Sequence, residues 1–289
     1  MNAEESSNDP IYAQSITRGE STEQRLKDLI ATLSETFTLN RHVNVVAGNM
    51  APMNLVQAAT NAYAQLPIIR QEVREARDAL IDGDRNNIRK ELADIIVTVD
   101  GLRYRSEFDL TKILETMMDF EVIVRMFDKL TQILEVEVPA PEPNSEDEFL
   151  AFSVFGLEFL ESCLSKLETS NLSGGDVLDL SKTVACLLYV VVSDVADEFG
   201  FNILEDQHVV YRSNMSKFDT DIEDATRGLE KFAAQGIKVR IDQTEYLGMK
   251  YYVLKSDEDQ TVNGKHYPKN KFLKSINYKD AQWEGAADH

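Results

Sequence analysis

The chain has 289 residues, 43% of them hydrophobic, and its 30 lysines and arginines face 50 acids, a formal charge of −20. That provides for one large folded unit or two small ones, and the excess acid argues against nucleic acid, whose phosphates it would repel. No apolar run approaches the ~18 residues of a membrane span, so no membrane partner is expected.

Residues 1–22 are acidic, lack the apolar core of a secretory signal and read as a disordered segment. From 23 to 135 apolar residues recur at three- and four-residue spacing, which predicts helices over 23–38, 52–64, 66–82, 86–105 and 110–134. Pro52 and Pro67 stand near helix starts, where the missing N–H costs little, and Asp84 is placed to cap the helix after it. The segment 136–148, acidic and with three prolines, reads as a stiff linker. A second helical part, 149–219, holds a helix beginning near 147, a long helix capped by Asp176, and a helix over 203–217. The last region, 220–289, is a small α+β element: a helix over 220–234, strands at 238–245, 251–255 and 271–278, and a turn at 262–265. It holds 11 Lys/Arg against 12 Asp/Glu, so the excess acid lies before it. Cys163 and Cys186 sit in apolar helical contexts and read as buried free thiols of a reducing cytoplasm. Met117, Met118, Phe120, Met126 and Phe127 read as core.

Chemistry concentrates in two acid pairs, Glu72/Glu75 and Glu91/Asp94. Each has i,i+3 spacing, which stacks both carboxylates on one helix face. Fifteen residues separate the pairs, and the turn-like segment 80–87 lets the two helices fold back with their acidic faces opposed. Four converging carboxylates repel unless a divalent cation sits among them. An all-oxygen set suits Mg²⁺, with Mn²⁺ as an alternative, and such ions suit phosphate chemistry. The competing reading is a solvated acidic face.

The helical parts carry a faint repeat. Asp84 and Asp176 begin helices, Glu91 and Asp94 correspond to Thr183 and Cys186, and the exits 107–110 and 200–203 are alike. The second half then reads as a copy that has lost its acids. A different alignment matches Glu158/Glu161 and Asp176/Asp179 to the acid pairs, which would make a second site.

ExxE followed by ExxD on paired helices, with Arg212-Ser-Asn-Met-Ser-Lys217 later in the chain and a closing segment Phe272-Leu-Lys-Ser-Ile-Asn-Tyr-Lys279, resembles the MazG-like all-α nucleoside triphosphate pyrophosphohydrolases. That superfamily includes the dimeric dUTPases and the phosphoribosyl-ATP pyrophosphohydrolases, and the Ser-Asn-Met-Ser-Lys element is typical of phage and bacterial members. The resemblance covers roughly residues 40–280. In ordinary members one short chain carries both motifs and homodimerises. Here the first half has the acids and the second has the Ser-Asn-Met-Ser-Lys element.

The resemblance implies a mainly α fold, a tandem MazG-like helical bundle (a pseudo-dimer) with a small C-terminal helix-plus-hairpin element. It also implies hydrolysis of a nucleoside triphosphate to the monophosphate and pyrophosphate, with one site per chain completed by the second half. Glu72, Glu75, Glu91 and Asp94 would hold one to three Mg²⁺, and Glu72 or Glu75 would orient water or accept its proton. Asn44, Lys90, Arg212, Asn214, Lys217 and, from the tail, Lys274 are candidate substrate contacts. The other tail lysines read equally as a soluble hairpin edge. The expected partners are the nucleotide and, at most, a second copy of the chain, in the cytoplasm (that of a host if the source is a phage). Two other functions stay open, an inactive nucleotide-binding or sequestering protein and a helical interaction protein. Base and sugar preference is not legible.

Overall fold

A computed structural model describes residues 22–109, 120–137 and 148–283. The chain is mainly helical, with small antiparallel hairpins near the C-terminus. The helices are α1 (Thr22–Val46), α2 (Leu55–Asp82), α3 (Arg85–Ser106), α4 (Phe120–Leu134), α5 (Glu148–Thr169), α6 (Gly174–Phe199), α7 (Ile203–Met215) and α8 (Ile222–Ala234). The strands are β1 (Val239–Tyr246), β2 (Met249–Ser256), β3 (Gln260–Val262) and β4 (Lys265–Tyr267). No described helix is long and apolar enough to cross a membrane.

Three expectations about helix ends are corrected. The break at residue 65 is absent, because Pro67 lies inside α2 on its exposed side, where water can reach the carbonyl that its ring leaves without a donor. The first helix runs to Val46, so Asn44 sits within it. Ser173, not Asp176, is the N-cap of α6: its Oγ accepts from the Asp176 N–H and donates to Asp176 Oδ2 at 2.6 Å. The cap expected at Asp84 forms, with Oδ1 accepting from the N–H groups of Asn86 and Asn87. The expectations for residues 1–21, 110–119, 138–147 and 284–289, Met117 and Met118 included, lie outside the described residues.

One hydrophobic core runs through both helical parts. Leu66, Ile69 and Val73 of α2, Ile88, Ile95 and Ile96 of α3, Phe159 and Leu160 of α5 and Val184, Leu188 and Tyr189 of α6 all belong to it. Met126 and Phe127 of α4 pack against it, Phe127 with its ring 5.0 Å from that of Phe159. Cys163 and Cys186 are free and buried within it, and burial pushes both thiols up to about 12. A polar knot crosses this core. The fully buried Asp100 of α3 accepts from Asn40 of α1 at 2.8 Å, from Tyr189 of α6 at 2.5 Å and from Arg103 at 3.2 Å. Asn40 also donates to Gln207 of α7. On the outer side of α2, Arg70 pairs with Glu168, and Arg74 and Arg77 pair with Glu161.

In the last region β1 and β2 pair antiparallel in register Val239↔Ser256 to Tyr246↔Met249. Leu247 and Gly248 turn between them, both at positive φ. The turn expected at 262–265 forms around Asn263-Gly264, but it joins two short strands, β3 and β4, that the sequence pattern had not shown. The strand expected at 271–278 is absent. That segment makes one bridge, Lys255↔Phe272, and continues as an irregular strap.

Candidate functional site

The Gly83-Asp84 corner sets the site. Gly83 ends α2 at φ 70°, its N–H meeting the carbonyls of Ala79 and Leu80, and Asp84 caps α3 at once. The turn is therefore much tighter than 80–87, and the helices return antiparallel. Glu72 and Asp94 stand eleven and ten residues from the corner, and Glu75 and Glu91 stand eight and seven. At about 1.5 Å per residue, each acid of α2 faces an acid of α3 at nearly the same height.

Carboxylate oxygens of Glu72, Glu91 and Asp94 all lie within 4.8 Å of one another. Glu75 stands outside this trio and accepts from Gln71 Nε2 at 2.8 Å. It is near enough, however, to disfavour charge on the other three. Burial is the main cause that pushes the Glu72 carboxyl up to about 7, with Asp94, Glu75 and Glu91 adding repulsion. Glu91 and Asp94 are also raised, by burial first, against the pull of Lys90. Glu91 is 3% exposed, and its Oε2 has no hydrogen-bond partner. A buried, unpartnered carboxylate oxygen in an acid trio has a strong need for a cation.

Three of the expected lysines converge here. Lys90 Nζ is 2.5 Å from Glu91 and 3.5 Å from Asp94. Lys217, just beyond α7, is lowered by burial, while Asp94 and Glu72 pull it back up, so the second half does reach the acids electrostatically. Its ammonium donates to Oδ1 of the buried Asn214. Lys274 lies close enough to repel Lys217, and both stand over the Tyr278 ring, at 3.8 Å and 6.0 Å from its centre. Lys274 also faces Asp280, 3.8 Å away.

Two candidates are not brought to the acids. Asn44 closes the end of α1, donating to the Asn40 carbonyl and accepting from Asn49. It lies near Gly101, seven residues beyond Asp94 on α3, about 10 Å along that helix. Arg212 is exposed and makes no ion pair with the acids among the described residues. The alternative acid set does not converge. Glu161 is paired with two arginines, Asp179 with Lys182, and Asp176 serves the cap. Thr183 and Cys186, which the sequence repeat aligns with Glu91 and Asp94, are buried.

The sequence points only to Lys274 in this strap, whose other ties to the site come from Ser275, Asn277, Lys279 and Trp283. The Ser275 N–H donates to the Lys217 carbonyl at 3.1 Å, and the Lys279 N–H to Ser216 Oγ at 2.9 Å. The buried Asp219 takes hydrogen bonds from Ser275 and Asn277. Trp283 donates to Asp206 at 2.9 Å, beside the Arg89–Asp206 pair. The strap thus runs from Lys217 back to Arg89, the neighbour of Lys90. A faint signal was available: Asp219 directly follows Ser-Asn-Met-Ser-Lys-Phe, an acid where the helix ends and a cation would be favoured.

No family model matches the chain, and neither do the known proteins or the solved structures with which it was compared.

Proposed function

We propose that the chain is a Mg²⁺-dependent nucleoside triphosphate pyrophosphohydrolase with one site, built by α2 and α3 and completed by the end of α7 and the strap. The observation that carries this reading is the acid trio with the orphaned Glu91 oxygen, with Lys217 near enough to act electrostatically on Asp94 and Glu72. An all-carboxylate set of this kind fits a hard divalent cation. Glu72, Glu91 and Asp94 would hold it, and when bound it supplies charge neutralisation at the phosphates and a more acidic water. Mn²⁺ satisfies the same donors.

The chain's own groups take the remaining parts. Glu75 is held by Gln71 one turn along the face from Glu72, outside the trio, and is the carboxylate left to orient water and take its proton. Lys217 and Lys274, which share the Tyr278 ring, would stabilise charge on a departing pyrophosphate. Asn214 fixes the Lys217 ammonium. The motif order that resembles MazG-like enzymes supports cleavage between the α and β phosphates and the pseudo-dimer arrangement, in which the second half, without a converging acid set of its own, is a supporting copy. The cytoplasm, where nucleotides and reduced thiols coexist, is the compartment that fits.

A panel of ribo- and deoxynucleoside triphosphates, including uracil and modified bases, incubated with Mg²⁺ and resolved by product, tests the reading. It expects monophosphate and pyrophosphate from at least one substrate. Diphosphate and orthophosphate would contradict the cleavage position. Binding with no turnover would make the chain a sequestering protein instead.

A further inference from the structure

The cation nearest the acid trio belongs to the chain itself. Lys90 Nζ lies 2.5 Å from Glu91 Oε1 and 3.5 Å from Asp94 Oδ2, so it bridges two of the three carboxylates. It satisfies only part of the cluster, because Glu91 Oε2 stays buried and unpartnered. The Lys90 side chain is 47% exposed and can swing outward on its four-carbon stem. An ammonium offers hydrogen bonds, whereas a small divalent cation draws carboxylate oxygens to about 2.0–2.1 Å. An ammonium held between Glu91 Oε1 and Asp94 Oδ2 therefore competes for oxygens that a divalent cation joining the two carboxylates would draw on.

We propose that Lys90 is an internal counter-cation of the trio, holding Glu91 and Asp94 together in the metal-free protein and displaced when a divalent cation enters. Lys90 therefore competes with the metal and sets the concentration at which the site loads. Lys217, the other cation that faces Asp94, does not substitute for it, since Asn214 holds that ammonium. The proposal rests on the trio being a metal site and is independent of whether any nucleotide is turned over.

The test is Mn²⁺ titration of the full chain without nucleotide, followed by the electron paramagnetic resonance signal of free Mn²⁺. Lys90→Met and Lys90→Gln are compared with the unaltered protein and with Lys182→Met, whose partner Asp179 lies outside the trio. Removal of Lys90 is expected to tighten Mn²⁺ binding about tenfold or more, to lower the metal-free melting temperature, and to make Mn²⁺ restore it. Lys182→Met is expected to leave the affinity unchanged. If the unaltered protein binds no Mn²⁺ but the Lys90 variants do, the competition is supported. Equal or weaker binding by both Lys90 variants would overturn the proposal and leave the metal site standing. No binding by any of them would overturn the metal site as well. Since Lys90 is half exposed, at least the glutamine variant should fold, and its unfolding curve is the check.

Discussion

Glu72 and Glu91 show what individual residues contribute to the account. The two i,i+3 pairs place four acids on facing helices, and that much is legible from spacing alone. Which three converge is not, because it depends on rotamers and on Gln71 drawing Glu75 aside. Glu72 also makes a pH prediction. Its carboxyl rises from an ordinary 4.5 to about 7, chiefly by burial. A raised acid contributes stability that is fully present below the unfolded value and is lost as pH rises through the folded one. The metal-free melting temperature should therefore fall as pH rises from about 4.5 to about 7. Glu72→Gln should flatten the decline, and saturating Mn²⁺ should reverse it. An unchanged slope in Glu72→Gln would show that other groups govern it. Gln71→Ala should leave metal affinity nearly unchanged while lowering turnover, since it frees the carboxylate assigned to water. Equal losses of both would place Glu75 among the ligands.

At the scale of elements, the helices were largely readable and the strap was not. Period and caps located α3, α5, α7 and α8 within a residue or two. The false break in α2 came from treating Pro67 as a start, when its exposed position lets the helix continue. The strap has no hydrophobic period, because it is held by side chains of Asp219, Ser216 and Asp206 and by scattered backbone bonds to Leu254, Ser256 and Lys217 rather than by a continuous ladder. Asp219→Ala should cost roughly 1–3 kcal/mol by leaving the buried Ser275 hydroxyl without its acceptor, while Asn277 keeps its bond to Asp224. It should also expose Lys271, Lys274 and Lys279 to trypsin at a dilution where the unaltered chain resists. Unaltered cleavage would mean that the strap is held elsewhere. Gly83→Ala has free space but a φ of 70°, so it should cost about 1 kcal/mol in denaturant unfolding. Because the corner aligns the acid pairs, Gly83→Ala should weaken Mn²⁺ binding as well.

For the whole molecule, the division at 136–148 separates two sequence halves that share one core. Asp100 ties α1, α3 and α6 together, and Asn40 extends the tie to α7. Nothing in spacing discloses this knot, since its members lie 60 and 89 residues apart. Asp100→Ala would leave the buried Arg103 without its carboxylate partner and with only the Leu33 carbonyl to accept from it, a loss of roughly 3–5 kcal/mol. Both halves should still unfold in a single transition, followed by Trp283 fluorescence and by circular dichroism. The central claim is that the acid trio performs divalent-dependent nucleotide hydrolysis with help from the second half. The direct measurement is the rate of pyrophosphate release with Mg²⁺ from the best nucleotide of the panel, for the unaltered chain, Asp94→Asn and Lys217→Met, each shown to be folded. Release should stop on chelation and fall roughly 10²–10³-fold in each variant. No release from any nucleotide, or release that Asp94→Asn leaves intact, would contradict it.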